Sequence, residues 1–295
     1  MSFRARQLYR LAAAAMAARH RRASRSVLAT MIYWDLALDP SGSAAYFDRS
    51  GYGNQVYFGG VKKAIIADTV YGDRGLILPK IIGNYASTGA PGMTLYGLEI
   101  EVEHRARTYP PTECALLSEY PNAAGQRALR LLWEGSGKLL LTISQDGDAG
   151  SSAESSVAVT NPGTSRVRHK VTWRPSDGRV QFFESFDYGD TWAQVGSNKS
   201  IALASIFLST APICIGTWDG GAAGPYSGTI YRAIVRDGID GNVLIDANPE
   251  SVAQGTSTWN DAHGNTFTVN TAGSSTAEPT VDYTADTITY DGVEF

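Results

Sequence analysis

The sequence holds two cysteines among its 295 residues, Cys114 and Cys214, which excludes a disulfide framework and the paired spacing of a zinc site. Its four histidines, His20, His104, His169 and His263, stand singly, so neither a metal hydrolase nor an oxygenase triad has a visible ligand set. No apolar run reaches the ~18 residues of a membrane span. A G-x-S-x-G elbow and a phosphate-cradling glycine loop are both missing, which removes the usual signatures of serine hydrolases and nucleotide binders. Charge is also sparse, at 18% of residues against a usual ~25%.

Glycine, by contrast, is abundant at 31 residues, and hydrophobic residues make up 43%. That combination suits a turn-rich β protein with a substantial core. The charge that exists is unevenly spread. Residues 1–34 carry seven arginines and no acid, whereas the other 261 hold 18 bases and all 29 acids. Such asymmetry marks a separate tail.

That tail, residues 1–33, has an alanine-rich centre with arginines at both ends and predicts one helical arm. A secretory signal fits poorly, because Leu11 to Ala18 is weakly hydrophobic and runs straight into Arg19-His20-Arg21-Arg22. A transit peptide or nucleic-acid contact fits the composition, and an anchor docked into an assembly is the expected role. Arg4, Arg6, Leu8, Arg10, Leu11, Arg19, Arg21, Arg22 and Arg25 are the candidate anchor residues.

Beyond Tyr33 the pattern becomes two-residue alternation broken by turns. Tyr96, Leu98, Ile100 and Val102 alternate with Gly97, Glu99, Glu101 and Glu103, predicting one apolar and one solvated acidic face. Further strands are predicted over 127–134, 138–144, 166–173, 179–186, 213–217 and 229–236. Between them lie turn sequences such as Gly135-Ser136-Gly137 and Pro175-Ser176-Asp177-Gly178. Many short strands without a visible internal repeat predict an all-β sandwich, placed within a domain spanning 34–270, followed by an acidic extended tail over 271–295.

Several of these segments resemble the laminin-G-like, concanavalin A-like jelly roll. Asp48-Arg49-Ser50-Gly51-Tyr52-Gly53-Asn54 is similar to the opening of such domains. Val171-Thr172-Trp173, Val180-Gln181-Phe182-Phe183, Ile213-Cys214-Ile215-Gly216 and Tyr226-Ser227-Gly228-Thr229-Ile230-Tyr231 are similar to their back half. The extension through Ile245-Asp246-Ala247-Asn248-Pro249 and Gly255-Thr256-Ser257-Thr258-Trp259 resembles the version found in minor tail proteins of tailed bacteriophages, especially actinobacteriophages. The resemblance covers roughly residues 46–270. It implies a virion location, virion proteins as partners, host cell-wall glycan as a ligand and homo-oligomerisation, with a trimer suiting the alanine-striped arm. No cofactor is expected, and calcium is not predicted.

Three constellations are candidate sites. Glu99-Ile100-Glu101-Val102-Glu103 resembles the E-I-D-x-E signature of jelly-roll β-glucanases, with carboxylates about 6.6 to 7 Å apart along one face. The central residue departs from that signature, and the motif is expected on the first core strand rather than in the sheet's middle. The chain is therefore expected to be no enzyme, with hydrolysis through Glu99 and Glu103, or a cellular adhesion lectin, as the alternatives. Ser185-Phe186-Asp187-Tyr188-Gly189-Asp190-Thr191-Trp192 matches the S-x-D-x-G-x-T-W pattern called the Asp box, in which Ser185, Asp187, Gly189 and Trp192 staple a hairpin. Trp218 and Asp219 form a turn able to stack and hydrogen-bond a sugar, and Asp219 is compatible with calcium, although no second metal ligand is identifiable.

Overall fold

The computed structural model describes residues 64–68, 73–89 and 96–271, apart from 108, 110–112 and 164, together with the backbone of four short strands nearer the ends. The basic arm and the Asp48–Asn54 opening lie outside the described residues.

The strands follow in chain order. A hairpin of β1 (Ala45–Phe47) and β2 (Gln55–Tyr57) precedes β3 (Ile65–Asp68), β4 (Arg74–Pro79) and β5 (Asn84–Thr88). Next come β6 (Leu98–Ala106), β7 (Cys114–Glu119), β8 (Leu129–Trp133), β9 (Leu139–Ser144) and β10 (Gly150–Glu154). These lead to β11 (Val167–Arg174), β12 (Arg179–Ser185), β13 (Ala193–Gln194), β14 (Lys199–Ser200) and β15 (Cys214–Ile215). The chain continues with β16 (Ser227–Asp237), β17 (Asn242–Ala247), β18 (Thr258–Asn260) and β19 (Thr266–Thr271), then a second hairpin of β20 (Thr289–Tyr290) and β21 (Val293–Glu294). Helix among the described residues is limited to two single 3-10 turns, Asp219–Gly221 and Pro249–Ser251.

Two antiparallel sheets make the body. One has eight strands, ordered β10-β9-β8-β7-β15-β5-β19-β18. The other has nine, with β13-β12-β11-β6-β16-β4-β3 as its path and β14 and β17 attached to β12 and β16. Alternation explains their packing. Val171 and Trp173 of β11 point inward with Ile100 and Val102 of β6, and meet Leu129, Leu131 and Trp133 of β8 and Leu139, Leu141 and Ile143 of β9 in one shared core. The result, among the described residues, is an all-β sandwich of two antiparallel layers.

Every strand predicted from alternation is present, with different limits. The segment predicted over 213–217 retains only Cys214 and Ile215 as strand, because Gly216 takes a positive φ of 82° and turns the chain. The segment predicted over 229–236 lengthens to β16, which a bulge between Ile230 and Arg232 allows to stay paired with β6. The glutamate-bearing strand β6, expected to be the first core strand rather than one in the sheet's middle, is central in the nine-stranded sheet, between β11 and β16.

Candidate functional site

The outer face of the nine-stranded sheet carries most of the chemistry. On β6 the carboxylates of Glu99, Glu101 and Glu103 leave the sheet on the side away from the core, as alternation requires. They are nevertheless not solvated: the three residues are 1%, 8% and 2% exposed. Cross-strand register is the reason. Glu103 lies opposite Arg168 of β11 and Arg232 of β16, Glu101 opposite Lys170 and Ile234, and Glu99 opposite Thr172 and Arg236. Long basic side chains from both neighbours fold over the acidic column.

The resulting ion pairs are specific. Arg166 Nε donates to Glu103 Oε1, and Arg168 Nη2 donates to Glu103 Oε2 at 2.6 Å. Arg168 Nη1 reaches Glu101 at 3.4 Å, and Arg236 Nε lies 3.1 Å from Glu99 and 3.7 Å from Glu101. Arg166 is also held by both oxygens of Glu250, at 2.8 and 2.7 Å, from the 3-10 turn that crosses this face. Burial pushes the Glu99 carboxyl above its ordinary range, with neighbouring Glu101 adding to the effect and the Asp240 amide and Lys170 opposing it.

The Asp-box hairpin, which begins at the end of β12, lies along the same outer face beside β11. Its own geometry is a closed set of hydrogen bonds. Asp187 Oδ1 accepts from Ser185 Oγ at 2.7 Å and Thr191 N at 3.0 Å, and Oδ2 accepts from Thr191 Oγ1 at 2.5 Å. Ser185 Oγ accepts from Gly189 N at 2.9 Å. The Thr191 and Ser185 hydroxyls and the Thr191 amide hold the Asp187 carboxyl at about 2. Gly189, at φ 93°, passes so close to β11 that an added Cβ would sit 2.8 Å from Arg168 Nη1. On either side of that contact, Tyr188 faces Arg166, with 5.1 Å from guanidinium carbon to ring centre, and Trp192 faces Lys170, whose ammonium is 4.2 Å from its ring centre. Behind the hairpin is a shallow open groove of 230 Å³ lined by Glu184, Ser185, Phe186, Asp187, Thr191 and Ala193.

Trp218 and Asp219 sit at the end of the eight-stranded sheet. Trp218 is half-buried between Gly224 and Arg130, whose guanidinium lies 4.9 Å from the indole. Asp219 Oδ1 and Oδ2 accept from the backbone and side-chain nitrogens of Asn122, each at 2.6 Å. The pair is thus together in space, with the carboxylate engaged by a neighbouring loop and the indole by an arginine. Among the described residues no cluster of His, Cys, Asp and Glu has the arrangement of a metal site.

Sequence reasoning missed a polar chain inside the core. His104 on β6 and His169 on β11 both point inward and are fully buried. His104 Nδ1 hydrogen-bonds the Tyr226 hydroxyl at 2.8 Å and its Nε2 meets His169 Nδ1 at 2.9 Å, with Trp133 edge-on to both rings. Burial holds His169 down at about 3 and His104 well below its ordinary value. Their inward positions in two alternating strands were the available signal. The buried thiols of Cys114 and Cys214 are both pushed up to about 12 by burial, which leaves neither a nucleophile at neutral pH.

No family model matches the chain, and no curated protein matches it in sequence. Among solved structures, a Bacteroides ovatus protein described as carbohydrate binding aligns at 11% identity and TM-score 0.44, over 63% of this chain and 57% of its own. The SAP-like pentraxin of Limulus polyphemus aligns at 14% and 0.40, over 61% and 93%. Tailspike protein 2 of an Escherichia coli O157:H7 bacteriophage aligns at 14% and 0.44, over 60% of this chain and 25% of the tailspike. At these scores and identities the comparison adds nothing to the sheet topology, on which the fold assignment rests.

Proposed function

We propose that this protein is a non-enzymatic structural component of a phage virion, a minor tail or tail-tip subunit whose jelly roll faces outward and adheres to host-surface glycan. The observation that carries the non-enzymatic part is the closure of the glutamate column. A retaining glycosidase needs one free carboxylate as nucleophile and a second as acid and base, both open to the sugar. Here both Glu103 oxygens are occupied by arginines, and Glu99 is 1% exposed beneath Arg236. A column sealed in this way holds three strands in register and leaves no carboxylate for a glycosidic bond.

The virion role is supported by the sequence resemblance and by the charge division between the arginine-rich arm and the acidic remainder. The arm is the anchor into neighbouring virion proteins, and an outward domain presented in several copies turns weak sugar contacts into firm attachment. A homo-oligomer, for which a trimer suits the alanine-striped arm, supplies those copies. No cofactor is required.

Two measurements on the full-length protein test the reading. Glycan-array and host-cell-wall binding, with product analysis on the same samples, is expected to give saturable binding without cleavage. Released sugar that disappears in Glu99→Gln would establish the hydrolase instead. Deleting residues 1–30 is expected to abolish incorporation into particles; wild-type occupancy would remove the anchor.

A further inference from the structure

We infer that the glycan site of this protein is the outer face of β11, β12 and β13 under the Asp-box hairpin, where Trp192, Tyr188, Phe183 and the amides of Gln181, Gln194 and Asn198 form a platform for a neutral oligosaccharide. The inference rests on the adhesive function proposed above and moves the site away from the Trp218–Asp219 turn.

Register brings these side chains together. Gln194 of β13 lies opposite Phe183 of β12, which lies opposite Lys170 of β11; one step along, Gln181 lies opposite Thr172. All are on the face turned away from the core. The Lys170 ammonium is 4.2 Å from the Trp192 ring centre and 5.4 Å from that of Phe183, so it fixes both rings against the sheet. Trp192 remains half-buried, and Tyr188 is 64% exposed. The two rings stand beside Lys170 and Arg166, four residues apart, so they are spaced by roughly 13 Å along the strand direction, an oligosaccharide's length rather than a single sugar's.

The polar half of the platform is equally fixed. Gln181 Nε2 donates to Gln194 Oε1 at 3.3 Å and to Asn198 Oδ1 at 3.1 Å, and Gln194 Nε2 donates to Asn198 Oδ1 at 2.9 Å and to Gly196 O at 3.1 Å. These bonds orient the amides while leaving Asn198 Nδ2 and Gln181 Oε1 for a ligand. Aromatic rings for the apolar face of a pyranose, beside oriented amides for its hydroxyls, are the chemistry of sugar recognition.

Charge selects among ligands. Lys170 is opposed across the ladder by Glu101, and the neighbouring arginines are bound to Glu99, Glu101 and Glu103, so the face offers little unneutralised positive charge for a phosphate backbone or a polyanion. A neutral glycan fits this balance.

The test is titration calorimetry of the full-length protein with the strongest ligand from a glycan array, in wild type, Trp192→Ala, Gln181→Ala, Asn198→Ala and Trp218→Ala. Because Trp192 also packs on Lys170 of β11, the two amide variants, checked for unchanged thermal unfolding, keep the test independent of folding. At least a tenfold loss of affinity in Trp192→Ala, a several-fold loss in each amide variant, wild-type binding in Trp218→Ala and insensitivity to 0.5 M salt are expected. Wild-type affinity in Gln181→Ala and Asn198→Ala, or loss confined to Trp218→Ala, would overturn the site while leaving adhesion standing. No binding by the wild type to any array glycan would overturn both.

Discussion

Glu119, the last residue of β7, is 1% exposed and lacks a hydrogen-bond partner for Oε1. Burial raises its carboxyl to about 8, with the Ser209 hydroxyl opposing. In the unfolded chain it ionises near 4.5, so its contribution to stability is fully present below that pH and is lost as pH rises toward 8. Glu119→Gln removes the ionisation; relative to wild type it is expected to gain about 4 kcal/mol in urea unfolding at pH 8 and almost nothing at pH 4. Equal differences at the two pH values would show that the carboxyl is not held neutral. Nothing in the sequence singled out this residue, since an acid at a strand end reads as solvated. The Asp box, by contrast, was legible because all its partners lie within eight consecutive residues, and local hydrogen bonds of this kind leave a local pattern.

Cross-strand contacts leave no such pattern, and β6 illustrates the cost. Alternation placed Glu99, Glu101 and Glu103 on one face, but whether that face meets water depends on which strands flank it. Those strands, β11 and β16, lie more than sixty residues further along the chain. The sequence therefore predicted a solvated column and the fold delivers a buried one. Breaking it from one side is expensive: Glu103→Gln leaves Arg166 and Arg168 partly unpaired and is expected to destabilise the protein by roughly 3 kcal/mol in denaturant unfolding. A cost under about 1 kcal/mol would mean the pairs behave as surface salt bridges. The β6–β16 contact makes a second demand. Gly228 has φ 146°, and a Cβ there would sit 2.2 Å from the backbone oxygen of Arg105. Gly228→Ala forces the central strands apart, and a loss of at least ~2 kcal/mol, with faster amide exchange along β6 and β16, is expected.

At the scale of the whole molecule, pH acts through groups that the two sheets jointly remove from water. His104 and His169 belong to the nine-stranded sheet, and the Trp133 that packs on both belongs to the eight-stranded one, so their neutrality depends on the sheets staying together. In the unfolded chain each takes a proton near pH 6.5, whereas in the native sandwich His169 waits until about 3. The unfolded state thus binds up to two more protons between these values, and stability falls as pH drops below 6.5. Glu119 works against them, because between 4.5 and 8 it keeps a proton in the native state that the unfolded chain releases. Its share cancels about one of the two. Between pH 6 and 5, Glu119→Gln is therefore expected to steepen the loss of stability by ~1.4 kcal/mol per pH unit relative to wild type. His169→Phe is expected to flatten it by a similar amount. Urea midpoints across pH 4.5 to 8 measure all three slopes. Parallel wild-type and His169→Phe profiles would mean that His169 takes up its proton at the same pH in the native sandwich as in the unfolded chain, and so that burial does not hold it neutral.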